Sequence, residues 1–138
     1  MKQILVAAVF ALAATQGSAM DSLSSFGWEK RVVLVFGDAA DRKLAQQIEN
    51  LVGQTDELRE RDMVVIRVVG DDAKAVYGQS PPLDADRLRE EANIAATGFQ
   101  IVLVGKDGGV KLRSGEVVQD VALFDLIDRM PMRRAEKR

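Results

Sequence analysis

Residues 31–41 read RVVLVFGDAAD. The run Val32-Val33-Leu34-Val35-Phe36 has no polar face, so a strand here must be covered on both sides. Gly37 closes it, and Asp38 and Asp41 can each cap a following helix. From Arg42 to about Arg61 the apolar positions Leu44, Ile48, Leu51 and Leu58 recur at helical spacing. Residues 63–69, MVVIRVV, form a second β-branched run. Two covered strands with a helix between them make a βαβ unit, which requires parallel strands and a right-handed crossover.

The rest of the chain extends this unit. Gly70 to Leu83 is the one long stretch without periodicity, and its Asp71, Asp72, Tyr77, Gly78 and Pro81-Pro82 read as a loop. Asp84 caps a second helix that runs to about Ala96, with Leu88, Ala92 and Ala95 on its apolar face and Gly98 near its end. Residues 99–105, FQIVLVG, are a third strand. Lys106-Asp107-Gly108-Gly109 carries a hairpin signal, which makes Val110 to Arg113 a fourth, antiparallel strand. A last helix spans Val118 to Met130 with Val121, Phe124 and Ile127 facing inward, and Pro131 stops it. The order β-α-β-α-β-β-α predicts an α/β fold with helices layered over a mixed four-stranded sheet.

The two ends differ in kind. Residues 1–19 read as a secretory leader: Lys2 is the charged start, Ile4 to Ala14 is apolar, and Gly17-Ser18-Ala19 offers a cleavage site. The apolar run is too short for a spanning helix, which needs roughly 20 residues. Removing the leader leaves 18 basic against 21 acidic side chains, a net charge of −3. That balance argues against nucleic acid as a general partner. Residues 20–30 form a polar lead-in whose Phe26 and Trp28 are expected to pack on the sheet. Residues 132–138 form a basic tail (Arg133, Arg134, Lys137 and Arg138) expected to be solvated. Lys111 and Arg113 alternate with Val110 and Leu112, which suits a charged sheet edge that resists further pairing.

The two apolar runs, the hairpin and the closing helix resemble the thioredoxin fold, a three-layer α/β sandwich. The stretches RVVLVFGDAAD, RDMVVIRVVGD, GFQIVLVGKDGGVKLRS and LFDLIDRMPMRR resemble the DUF4174 family of exported bacterial domains. The resemblance implies one domain over residues 31–131 and a periplasmic or secreted working place. A related domain occurs in animal extracellular-matrix proteins and is grouped with peroxiredoxin-like folds.

In a thioredoxin-like fold the reactive thiol sits after the first strand, where the next helix N-terminus activates it. Here that corner is Gly37-Asp38-Ala39-Ala40-Asp41-Arg42, and the whole chain holds no cysteine and no histidine. Thiol–disulfide exchange and thiol-based peroxide reduction are therefore excluded. The proline that such folds carry before the third strand is replaced by Ala96-Thr97-Gly98-Phe99. Asp38 and Asp41 beside Arg42 could serve as a carboxylate pair for acid–base work, or simply as helix caps. Asp71-Asp72 lacks the alternating acids of a calcium loop. The glycines at 105, 108 and 109 lack the helix and Gly-Lys-Ser/Thr ending of a phosphate loop. The chain is thus expected to need no metal or cofactor, and to insert stably in no membrane once the leader is removed. The candidate contact residues are Asp38, Asp41, Arg42, Tyr77 and Gly98. The leading expectation is a non-catalytic binding module of the cell envelope, whose partner is an envelope protein or a small ligand. The alternative is a cysteine-free hydrolase or lyase using Asp38 and Asp41.

Overall fold

The computed structural model describes residues 20–94 and 98–137. The leader reading, the Ala96-Thr97 half of the missing-proline argument, and Ala95 and Arg138 lie outside the described residues. A 3-10 helix over Asp21–Phe26 is followed by β1 (Arg31–Gly37), α1 (Arg42–Val52), α2 (Thr55–Glu60), β2 (Met63–Val69) and β3 (Asp72–Tyr77). Then come α3 (Ala85–Ala92), β4 (Gln100–Val104), β5 (Val110–Ser114), α4 (Asp120–Asp128) and α5 (Pro131–Glu136). The strands form one sheet in the order β3-β2-β1-β4-β5.

β1 and β2 are parallel, with Arg31 opposite Met63 and Gly37 opposite Val69. β4 runs antiparallel to β1, and β5 antiparallel to β4. The sheet is mixed and layered by helices, but it has five strands where four were expected. The added strand is β3, which lies in the stretch read as a loop. Gly70, at φ +56°, opens a two-residue turn that folds Asp72–Tyr77 back onto β2. Its inward residues Ala73 and Ala75 are too small to give an apolar signal.

Side-chain alternation divides the core in two. Val32, Leu34 and Phe36 of β1 join Val64, Ile66 and Val68 of β2 under α3, through Ala85, Leu88 and Ala92. Met20, Leu23 and Phe26 belong to the same cluster, so part of the polar lead-in is core. Val33 and Val35 face the opposite side, with Leu44, Leu51, Leu58, Leu123, Phe124 and Ile127 from α1, α2 and α4. Each face of the central strands is thus covered, which explains why their sequences are apolar throughout.

Four local expectations are corrected. The single helix expected over residues 42–61 is two, because α1 ends at Gly53 and α2 restarts at Thr55. α3 ends at Asn93, which adopts the left-handed conformation, and not near Gly98. In α4 the inward residues are Leu123, Phe124 and Ile127, and Val121 is exposed. Most of the basic tail is helix α5, and its Arg133 is buried.

Candidate functional site

Two ends of the sheet carry polar chemistry. At the C-terminal end of β1 the corner folds as local sequence rules dictate. The Asp41 carboxylate accepts a 2.8 Å hydrogen bond from the backbone N–H of Lys43, and its carbonyl accepts from Ala45. This makes Asp41 the N-cap of α1. Asp38 is exposed, and its backbone carbonyl accepts from the Asp41 N–H at 3.0 Å. Arg42 is the exposed first residue of α1. Gly98, at φ +100°, precedes Gln100, the partner of Phe36, so it lies at the same end. Tyr77 does not join them. It pairs with Val65, four residues back along β2 from the Gly37 level, or roughly 13 Å. It also packs half-buried on the α1–α2–α4 face.

The opposite end holds what the sequence reading missed. Four cations, Arg31, Arg61, Lys106 and Arg133, are buried there. Arg31 starts β1 with its side chain 1 % exposed. It donates to the carbonyl of Arg61 at 2.9 Å and to both oxygens of Glu136 at 3.3 and 3.2 Å. Lys106 follows β4, and its Nζ donates to Asp62 at 2.8 Å and to Glu136 at 2.7 Å. Arg61 forks onto Asp128 at 3.0 and 2.8 Å, binds Glu57 at 2.8 Å, and lies 4.7 Å from the centroid of the Phe124 ring. Arg133 ties Asp128 (3.2 Å) to Glu60 (2.8 Å). No periodicity announces this network, because its members come from β1, α2, the β4–β5 turn, α4 and α5. The one legible hint is the placement of Arg31 and Arg61-Asp62 directly before apolar runs.

Charge and burial compete at these groups. Burial disfavours the charged carboxylates of Asp128 and Glu136, but hydrogen bonds from Arg61 and Arg133, and from Lys106 and Arg31, outweigh it and hold both below the usual carboxylate range. Burial likewise opposes the charges of Arg61 and Arg133, yet their acid partners raise both above the ordinary value.

A cleft of ≈ 420 Å³ adjoins the network. Arg31, Lys106 and Lys111 give it cationic walls, with Asp107 paired to Lys111 at 2.8 Å, and Met130, Pro131 and Met132 give it an apolar one. Trp28 stands next to Lys106: its backbone N–H donates to the Lys106 carbonyl at 2.7 Å. Its φ is +66°, a conformation that bulky residues rarely adopt, and the residue is 70 % exposed. The expectation that Trp28 packs against the sheet is therefore corrected, whereas Phe26 is buried. A larger, more open cleft of ≈ 540 Å³ is lined by Asp71, Asp84, Asp86, Pro82, Leu83 and Ala85. Among the described residues no group of three or more acids is arranged to hold a metal ion. No helix among them is long and apolar enough to cross a membrane.

Comparison with known proteins agrees with this architecture. A thioredoxin-fold protein from Helicobacter pylori superimposes with a TM-score of 0.51, covering 72 % of this chain and 68 % of the other at 17 % identity. That likeness establishes the fold and nothing finer. Coiled-coil domain-containing protein 80 of Danio rerio is 32 % identical over 133 residues. The match takes in 83 % of this chain but only 15 % of that much longer relative. The family model described as "Domain of unknown function (DUF4174)" matches residues 22–136, so the chain belongs to the DUF4174 family and carries its thioredoxin-like domain without the thiol.

Proposed function

We propose that the domain works by binding rather than by catalysis, in the periplasm or outside the cell, and that the cleft beside Lys106 is its contact site. The observation that carries this is the pairing of an amphipathic cleft with a strained, exposed tryptophan on its lining residue. Exposed aromatic side chains on a rigid frame are favourable anchors, because they bury a large area at little entropic cost. The leader pattern of residues 1–19 supports the location. The Asp38–Asp41 corner adds a secondary contact surface. It gives the hydrolase alternative little support, because the Asp41 carboxylate is engaged as a cap and lines neither of the two clefts.

Trp28 is the one tryptophan of the chain, so its emission reports on this region alone. Titration with octanoate, octyl phosphate and octyl glucoside should give a saturable emission shift with at least one of them, and Met132→Glu should abolish it. A flat response to all three in the native protein would remove the cleft as a ligand site.

A further inference from the structure

The Glu136 carboxylate is held as a bound anion is held. Four contacts reach it: Arg31 Nη1 to Oε1 and Nη2 to Oε2 at 3.3 and 3.2 Å, Lys106 Nζ to Oε2 at 2.7 Å, and Arg133 Nη1 to Oε1 at 3.7 Å form a cationic cup, in which the Lys106 ammonium also bridges to Asp62. The three cationic side chains are 1 %, 8 % and 4 % exposed, whereas the Glu136 side chain is 25 % exposed. The three cations are therefore the buried, fixed part, and Glu136 reaches solvent at their outer side, although less than Asp62 at 43 % and Glu60 at 56 %. Glu136 is delivered by the last turn of a six-residue helix, the kind of element that frays most readily. Arg31 and Lys106 also line the cleft, so the cup opens onto a space large enough for a second molecule.

We infer that Arg31, Lys106 and Arg133 form an oxyanion-binding site, filled in this structure by Glu136, which gives way to the carboxylate or phosphate group of a ligand whose apolar body lies along Met130, Pro131 and Met132. The inference rests on the cleft being the contact site and adds the chemical class of what it takes. Glu136 acts as an internal competitor: the ligand's apparent affinity is the cup's intrinsic affinity multiplied by the fraction of time Glu136 is out. Arg31, 1 % exposed, has Glu136 as its acid partner, so when Glu136 leaves it needs another anion, while Lys106 keeps Asp62 and Arg133 keeps Asp128 and Glu60.

Inorganic phosphate and acetate test the cup directly, by thermal unfolding at ionic strength matched with chloride. If Glu136 is in place more than nine-tenths of the time, phosphate should bind Glu136→Ala at least about tenfold more tightly than the native chain. The melting temperature of the variant should therefore rise saturably with phosphate well before that of the native protein does. Glu136→Gln keeps the side chain's length and serves should the alanine variant fold poorly; it should show the same ordering. Adding Lys106→Met to either variant should remove the response. A phosphate effect no larger than that of chloride, or one that survives Lys106→Met, would overturn the inference. The cleft itself is judged separately: if octyl glucoside shifts Trp28 emission as strongly as octanoate and octyl phosphate do, the contact site stands and the anion preference falls. If octyl phosphate outperforms octanoate, the cup prefers phosphate; the reverse order assigns it to carboxylates.

Discussion

Asp41 and Asp128 are both carboxylates near helix ends, yet their contexts make them unequal. Asp41 is a cap with a solvent-facing surround, so Asp41→Ala should cost about 1 kcal/mol in urea unfolding. Asp38→Asn, at an exposed position, should stay within about 0.5 kcal/mol. Loss of an enzymatic activity in Asp38→Asn at unchanged stability would revive the hydrolase reading. Asp128 instead receives Arg61 and Arg133, both buried, and Asp128→Ala leaves Arg61 with Glu57 and Arg133 with Glu60 but removes the acid that joins them. That change should cost about 2 kcal/mol, seen as a lowered unfolding midpoint. The carboxyls of Asp128 and Glu136 titrate below their ordinary values of 3.8 and 4.5 when folded. Their contribution is therefore complete above about pH 4.5 and disappears as pH falls through the folded values. Acid unfolding curves of Asp128→Asn and Glu136→Gln should be flatter than the native curve in that window. Caps such as Asp41 and Asp84 are legible in a sequence because a cap bonds to its own next turn. Arg31 is not, because its partners lie 30 and 105 residues away.

β1 and β2 occupy the segments their composition marks, residue for residue. A strand covered on both faces must be apolar throughout, and few other elements require that. β3 escapes such a reading. It is a sheet edge whose inward residues are alanines, and a bulge between Val65 and Ile66 breaks its alternation. The bulge also turns Tyr77 to the face opposite Ala73 and Ala75, which is why Tyr77 packs with α1 and not at the corner. Polar ties across elements are equally hidden. Gln47 of α1 is fully buried and clasps Val118 before α4, donating to its carbonyl at 2.9 Å and accepting from its N–H at 2.7 Å. Its place three residues after Leu44 and four before Leu51 puts it on the buried face of α1, but nothing in the spacing names its partner. Gln47→Leu leaves both backbone groups unpaired and should cost about 2 kcal/mol, measured by denaturant unfolding. Arg113, expected to guard the sheet edge, also donates to the Ala92 carbonyl and so ties β5 to the end of α3.

The molecule as a whole has a thioredoxin-like frame and places its buried charge at the end of the sheet away from the Gly37–Arg42 corner. Trp28 belongs to that end without supporting the frame. Trp28→Ala should leave the unfolding midpoint within about 0.5 kcal/mol of native while removing any contribution to ligand affinity at the cleft. A large loss of stability would make it a structural residue instead. Fold class, the parallel pair and the absence of thiol chemistry all follow from the amino acids in order, because they depend on periodicity, local turns and which atoms exist. The buried charge network, the cleft and the exposure of Trp28 emerge only when distant segments meet. Solitary arginines, a lysine after a strand and a glutamate near the end acquire their meaning from partners that chain order does not bring together, and burial then multiplies the strength of each contact.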